Sequence, residues 1–196
     1  MKVSNTNVYN LEEAIKASKY PMLDDTNKAT NKITNTVKKL GSMDRGTGHD
    51  NFLHGILVSF DLTCSNKMWV EFQRYHFADI VSSQSTMHRV AKILETDVFN
   101  EYVTDATKHA VFMCLKQYNL NPTTENYLRL LYNIPSGIEL TAHVVTNYGQ
   151  LKTMWYQRHN HRLPEWREFC EWIINLPYFN TLTNVLTEKE NEYADH

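Results

Sequence analysis

Residues 52–76 read FLHGILVSFDLTCSNKMWVEFQRYH. Within this stretch Ile56, Val58, Phe60 and Leu62 alternate with Leu57, Ser59, Asp61 and Thr63. Successive strand side chains point to opposite faces, so this period of two predicts a strand with one face on a core. The segment Met68 to Phe72 is apolar-rich and predicts a helix that delivers Arg74. The stretch thus ties His54, just before a strand, to Arg74, just after a helix.

Working outward, Gly41 to Gly48 (GSMDRGTG) is the most loop-like segment and separates a helical N-terminal part from the rest. In that part Asn10 and Glu13 have the spacing of a capping box opening a helix over Leu11 to Lys19. Ala29, Ile33, Val37 and Leu40 form a helical stripe that Gly41 should stop. Downstream, Ala110, Val111, Cys114, Leu115 and Tyr118 predict one helix. A cap at Thr123 or Thr124 opens another, carrying Leu128, Leu131 and Tyr132. Ile138, Leu140, Ala142, Val144 and Thr146 alternate as a second strand. Leu151, Met154, Trp155 and Arg158 then share one helix face. Pro164 opens a last helix with Trp166, Phe169, Cys170, Ile173 and Ile174 inward. Helices outnumber strands and no βαβ unit repeats, so the predicted fold class is α+β.

The chain has 196 residues, 42% of them hydrophobic, which suits one globular domain over 1–196. No apolar run approaches the ~20 residues that span a bilayer. Met1 to Asn10 lacks the apolar centre of a secretory signal, so a cytoplasmic location is expected. A net charge of -2 argues against a dedicated binder of polymeric nucleic acid, although a single nucleotide needs only one or two arginines. Cys64, Cys114 and Cys170 are scattered and form no CxxC pair, so neither a disulfide framework nor structural zinc is expected.

Two further places carry candidate chemistry. The run from Arg74 to Arg89 holds two arginines, two histidines and a cluster of hydroxyl and amide groups within sixteen residues. Cationic forks with fixed donors and acceptors are what phosphate and a uracil-like base require, although a polar surface loop has the same composition. Arg158 lies on the same helix face as Leu151 and Trp155, so it needs an acceptor there, either an internal carboxylate or a ligand. His159 and His161, two apart on that helix, point to different faces and do not suggest metal.

Taken together, Phe52-Leu53-His54, Arg74-Tyr75-His76 twenty residues on, and Asn147-Tyr148-Gly149-Gln150-Leu151 followed by Arg158 resemble the motifs of the flavin-dependent thymidylate synthases in order and spacing. The resemblance covers residues 49–90 and 138–175. It implies helices packed on a small, mostly antiparallel sheet. It also implies FAD, NADPH and methylene-tetrahydrofolate as cofactors, deoxyuridylate (dUMP) or a relative as substrate, and a homotetramer whose sites lie between chains. Carried over, His54, His76 and Asn147 contact the flavin, while Arg74, Gln84, Ser85, His88 and Arg158 bind the nucleotide. No side chain is implied as a nucleophile.

The sequence departs from the family pattern at several positions. His76 replaces the second arginine of the long motif, and Gly149 stands where the family has an arginine near the flavin. The motif's Asn-Glu-x-Ser-x-Arg becomes Ser83 to His88 with a two-residue insertion, or Ser82, Gln84 and Thr86 without it. Either way the glutamate becomes a neutral group, and Gln84 can donate as well as accept. Each lost charged hydrogen bond weakens phosphate binding by roughly 1.5–3 kcal/mol. Two functions compete: flavin-dependent one-carbon transfer to a pyrimidine deoxynucleotide, and a nucleotide-binding or interaction protein that has lost flavin chemistry. A third reading, with Cys64 as a nucleophile, lacks a base placed beside it.

Overall fold

The computed structural model describes residues 1–76 and 78–186; Phe77, within the Arg74–Arg89 run, and residues 187–196 lie outside the described residues. Four strands form one antiparallel sheet. They are β1 (Lys2–Tyr9), β2 (Leu57–Ser65), β3 (Asp79–Ser83) and β4 (Glu139–Asn147), in the order β1-β2-β4-β3. The central pair β2 and β4 runs in unbroken register from Leu57 opposite Asn147 to Ser65 opposite Glu139. That register has a functional consequence: the residues before β2, His54 among them, lie beside those that follow β4.

The described helices are α1 (Leu11–Ala17), α2 (Asn35–Ser42), α3 (Asn66–Phe72), α4 (Thr86–Ile93), α5 (Asp105–Leu120), α6 (Thr124–Tyr132), α7 (Tyr148–Arg158), α8 (Pro164–Ile174) and α9 (Phe179–Thr183). Val58, Phe60 and Leu62 of β2 and Val144 of β4 pack in one cluster with Leu151 and Met154 of α7 and Trp166, Phe169 and Ile173 of α8. Each of these side chains is fully buried. Every large apolar side chain so removed from water stabilises the fold by ~1.5–3 kcal/mol. A second cluster joins α4, α5 and α6 through Val90, Leu94, Val111, Leu115 and Leu130. The α+β class and the packing of helices on a small antiparallel sheet both hold.

Several local expectations are corrected. Strand β1 has no alternating pattern, because its two packed valines, Val3 and Val8, are five residues apart. A register shift between Ser4 and Asn7 takes up the odd spacing, with Asn5 at φ 52, so both valines still reach the core. The Asn10–Glu13 capping box does not form. Asn10 adopts a left-handed conformation without a cap bond, and its Nδ2 donates to Gly55 O at 2.9 Å instead. Ala29 to Ile33 are not helical. Thr34 caps α2, and Gly41 lies within that helix, where a Cβ would meet Leu182 O at 2.2 Å. On α6 the buried residues are Asn126 and Leu130, while Leu128 and Tyr132 face outward.

Candidate functional site

Helix α7 organises the candidate residues, which gather at its two ends. At the N-terminal end Asn147 is the cap, its Oδ1 accepting from Gln150 N at 2.9 Å. Beside it lies the tight helical turn Asn51–Gly55, which carries His54. The ring of His54 covers Gly149 so closely that a Cβ there would lie 2.6 Å from Cε1 and 2.8 Å from each ring nitrogen. No side chain fits at 149 while His54 holds this position. Leu53, fully buried, anchors the turn.

At the C-terminal end of α7 the guanidinium of Arg158 stacks between two aromatic rings. Its central carbon is 5.2 Å from the Trp166 ring centre and 5.6 Å from that of Tyr75. Among the described residues no carboxylate pairs with Arg158, and its buried Nε has no hydrogen-bond partner. Among the described residues, then, no internal salt bridge explains this core-facing arginine. The rings around it are themselves held. Trp166 Nε1 donates to Glu71 Oε2 at 3.0 Å, and Tyr75 Oη donates to Gln157 Oε1 at 2.9 Å. Glu71 also meets Lys67 at 3.2 Å and His161 at 3.5 Å. Partial burial works to raise its pKa, but hydrogen bonds from Trp166 and Lys67 and the neighbouring cations outweigh that and lower it. Burial pushes the Tyr75 hydroxyl up, against the opposing pull of Arg158.

Arg74 is exposed and precedes Tyr75, the residue whose ring Arg158 covers, in the chain. His54 lies at the other end of α7. Gly149 and Arg158 are nine positions apart on the helix, about 14 Å at ~1.5 Å per residue. The two groups of candidate residues therefore lie at opposite ends of one helix.

The remaining candidates scatter. His76 is exposed in the turn before β3. Gln84 is committed: its backbone N donates to Thr141 O and its Oε1 accepts from Thr141 N, each at 2.9 Å. Its side chain extends the β3–β4 ladder, so the oxygen expected to read a base is already used. Ser85 precedes α4 without a cap bond from its side chain. His88 is exposed and lines a 310 Å³ cleft with Tyr118 and Tyr127, away from both ends of α7. His159 stacks on Trp155 at 4.4 Å, whereas His161 turns toward Glu71. A 460 Å³ cleft between the start of α8 and residues 100–107 is lined by Glu101, Glu165 and Glu168 and contains none of the candidates. Lys67 and the Met1 α-amino group share that lining, the amino group paired with Glu168 at 3.0 Å.

The chain is similar throughout to two solved structures of the flavin-dependent thymidylate synthase ThyX from Helicobacter pylori with FAD and dUMP. The first has TM-score 0.68 at 14% identity, covering 93% of this chain and 98% of that one. The second has TM-score 0.71 at 14% identity, covering 93% and 97%. The fold is that of the flavin-dependent thymidylate synthases. The UMP/dUMP methylase PolB from Streptomyces cacaoi, bound with 5-Br dUMP, is also similar, with TM-score 0.62 at 12% identity over 95% of this chain and 93% of that one. No protein-family model matches this sequence, and no curated protein matches it.

The reading of Cys64 as a nucleophile is not supported by its place in the fold. Cys64 lies inside β2, fully buried, and burial pushes its thiol far above the ordinary range, with Glu165 adding to the effect. A thiol held protonated is a poor nucleophile. The sequence reading also missed Lys152, which is 1% exposed on α7, and took Trp166 for core packing alone. A charged residue between apolar Leu151 and Met154 was the available signal for Lys152.

Proposed function

We propose that this chain methylates a pyrimidine deoxynucleotide by flavin-dependent, thymidylate synthase-like chemistry. The observation that carries the reading is Arg158: buried at Nε, stacked on Tyr75 and Trp166, and matched to no carboxylate. A guanidinium fork fixed in this way is preorganised for an anion brought from outside. Arg74, exposed and next to Tyr75 in the chain, supplies a second charge for a phosphate.

His54 and Asn147 would hold FAD at the other end of α7. The imidazole lying over Gly149 and the capped helix start together offer a surface for a planar ring system. When bound, reduced FAD supplies hydride, with NADPH as reductant and methylene-tetrahydrofolate as carbon donor. The protein's tasks are orientation and charge: Arg158 and Arg74 fix the nucleotide, and His54 fixes the flavin edge. Two groups of candidate residues about 14 Å apart suit a homotetramer in which neighbouring chains complete each site. The proposal treats 1–196 as one domain acting in the cytoplasm, where these metabolites are found.

A second reading keeps the nucleotide and drops the flavin. It is favoured by Gly149, which stands where the resemblance implies an arginine, and by Gln84, whose Oε1 accepts from Thr141 N. A visible absorption spectrum with and without added FAD, followed by calorimetric titration with dUMP, separates the two. A flavin spectrum with nucleotide binding supports the first reading; nucleotide binding by a colourless protein selects the second.

A further inference from the structure

We infer that Lys152 and Asp50 are positioning residues for His54, an ion pair that locks the Asn51–Gly55 turn onto α7. The inference rests on the reading of His54 as a ligand-facing group. Lys152 is 1% exposed and Asp50 5%. The ammonium donates to Asp50 Oδ2 at 3.0 Å, to Gly41 O at 2.9 Å and to Met43 O at 2.5 Å. Three donors meet three acceptors, so the group has nothing left to offer a ligand. Its charge serves position.

The placement of the two residues shows what is positioned. Lys152 lies three residues beyond Gly149, under one turn of helix. Asp50 immediately precedes the turn that carries His54, yet its side chain makes no cap bond to that turn. The carboxylate is therefore directed wholly at Lys152. The opposite end of the turn is tied by Asn10 Nδ2 to Gly55 O at 2.9 Å. Between these two ties the backbone of the turn is held where the His54 ring lies over Gly149. Lys152 also gathers the carbonyls of Gly41 and Met43, fixing the end of α2 against the same helix.

For burial alone, an apolar pair of similar volume serves as well as an ion pair or better. Such a pair cannot hold two backbone carbonyls and a turn in one place. The test is therefore the double variant Asp50→Leu/Lys152→Met, read in two ways. The first is the NMR nuclear Overhauser contact between the His54 ring and the Gly149 α-protons; the second is FAD affinity. The expected result is a folded protein that has lost the contact and binds FAD roughly tenfold more weakly. A folded double variant that keeps the contact overturns the inference. If the double variant does not fold, the near-isosteric Asp50→Asn decides: a weakened contact supports the positioning role, and an unchanged one overturns it. Loss of the contact in a protein that never binds FAD leaves the positioning role standing and refutes the flavin reading instead.

Discussion

His54 and Gly149 claim one volume: the imidazole fills the space that any side chain at 149 would enter, with a Cβ only 2.6 Å from Cε1. Because His54 is exposed, its ring can swing outward to relieve such a clash. Stability and binding therefore come apart at this position.

Gly149→Ala is expected to leave the melting temperature unchanged or slightly higher, since alanine favours a helix over glycine by roughly 0.5–1 kcal/mol. The same substitution displaces His54 and should weaken FAD binding by roughly tenfold or more. Thermal melting and flavin titration on one preparation check both halves. A large loss of stability with flavin affinity intact would contradict the coupling.

Arg158→Ala is expected to reduce dUMP affinity by roughly 10- to 100-fold, the worth of a charged hydrogen bond of ~1.5–3 kcal/mol. The fold should survive, because no carboxylate among the described residues pairs with Arg158 and would be left alone. Arg158→Lys should not rescue binding, since an ammonium lacks the planar fork that stacks on Tyr75 and Trp166. Calorimetry decides; affinity unchanged in the alanine variant would reduce Arg158 to a packing residue.

Glu71 makes the Trp166 side of the site sensitive to acid. Its pKa is held below the ordinary 4.5 in the folded chain. A carboxyl depressed by folding adds stability above its unfolded pKa and loses it as pH falls through the folded one. Glu71→Gln should therefore be less stable than the parent at pH 7, with the gap closing as pH falls below the ordinary carboxyl range and through the depressed folded value. Urea unfolding at several pH values measures this. A gap independent of pH would mean that the carboxylate charge contributes nothing.

Cys64→Ser should leave any methyl transfer nearly intact while lowering stability by about 1–3 kcal/mol, because a hydroxyl replaces a fully buried thiol. Native Cys64 should also resist alkylation that modifies it readily after unfolding. Abolished turnover in a folded Cys64→Ser protein would revive the nucleophile.

Much of this was legible in the chain. The alternation at 56–63 and 138–146 and the stripes of α7 and α8 are local patterns, since a strand or helix face is set by spacing alone. The order of His54, Arg74, Asn147 and Arg158 could be read for the same reason. What the sequence could not show was where the chain satisfies its polar groups at long range. Asn10 caps nothing and ties Gly55, Gln84 pairs with Thr141, and Lys152 reaches Gly41, Met43 and Asp50. Burial forces Lys152 to find partners, and for all three groups only the packed fold selects one acceptor or donor among many of equal chemistry. The same holds for His54 and Gly149: sequence supplied a histidine and a glycine 95 positions apart, and the register of β2 against β4 brought them into contact.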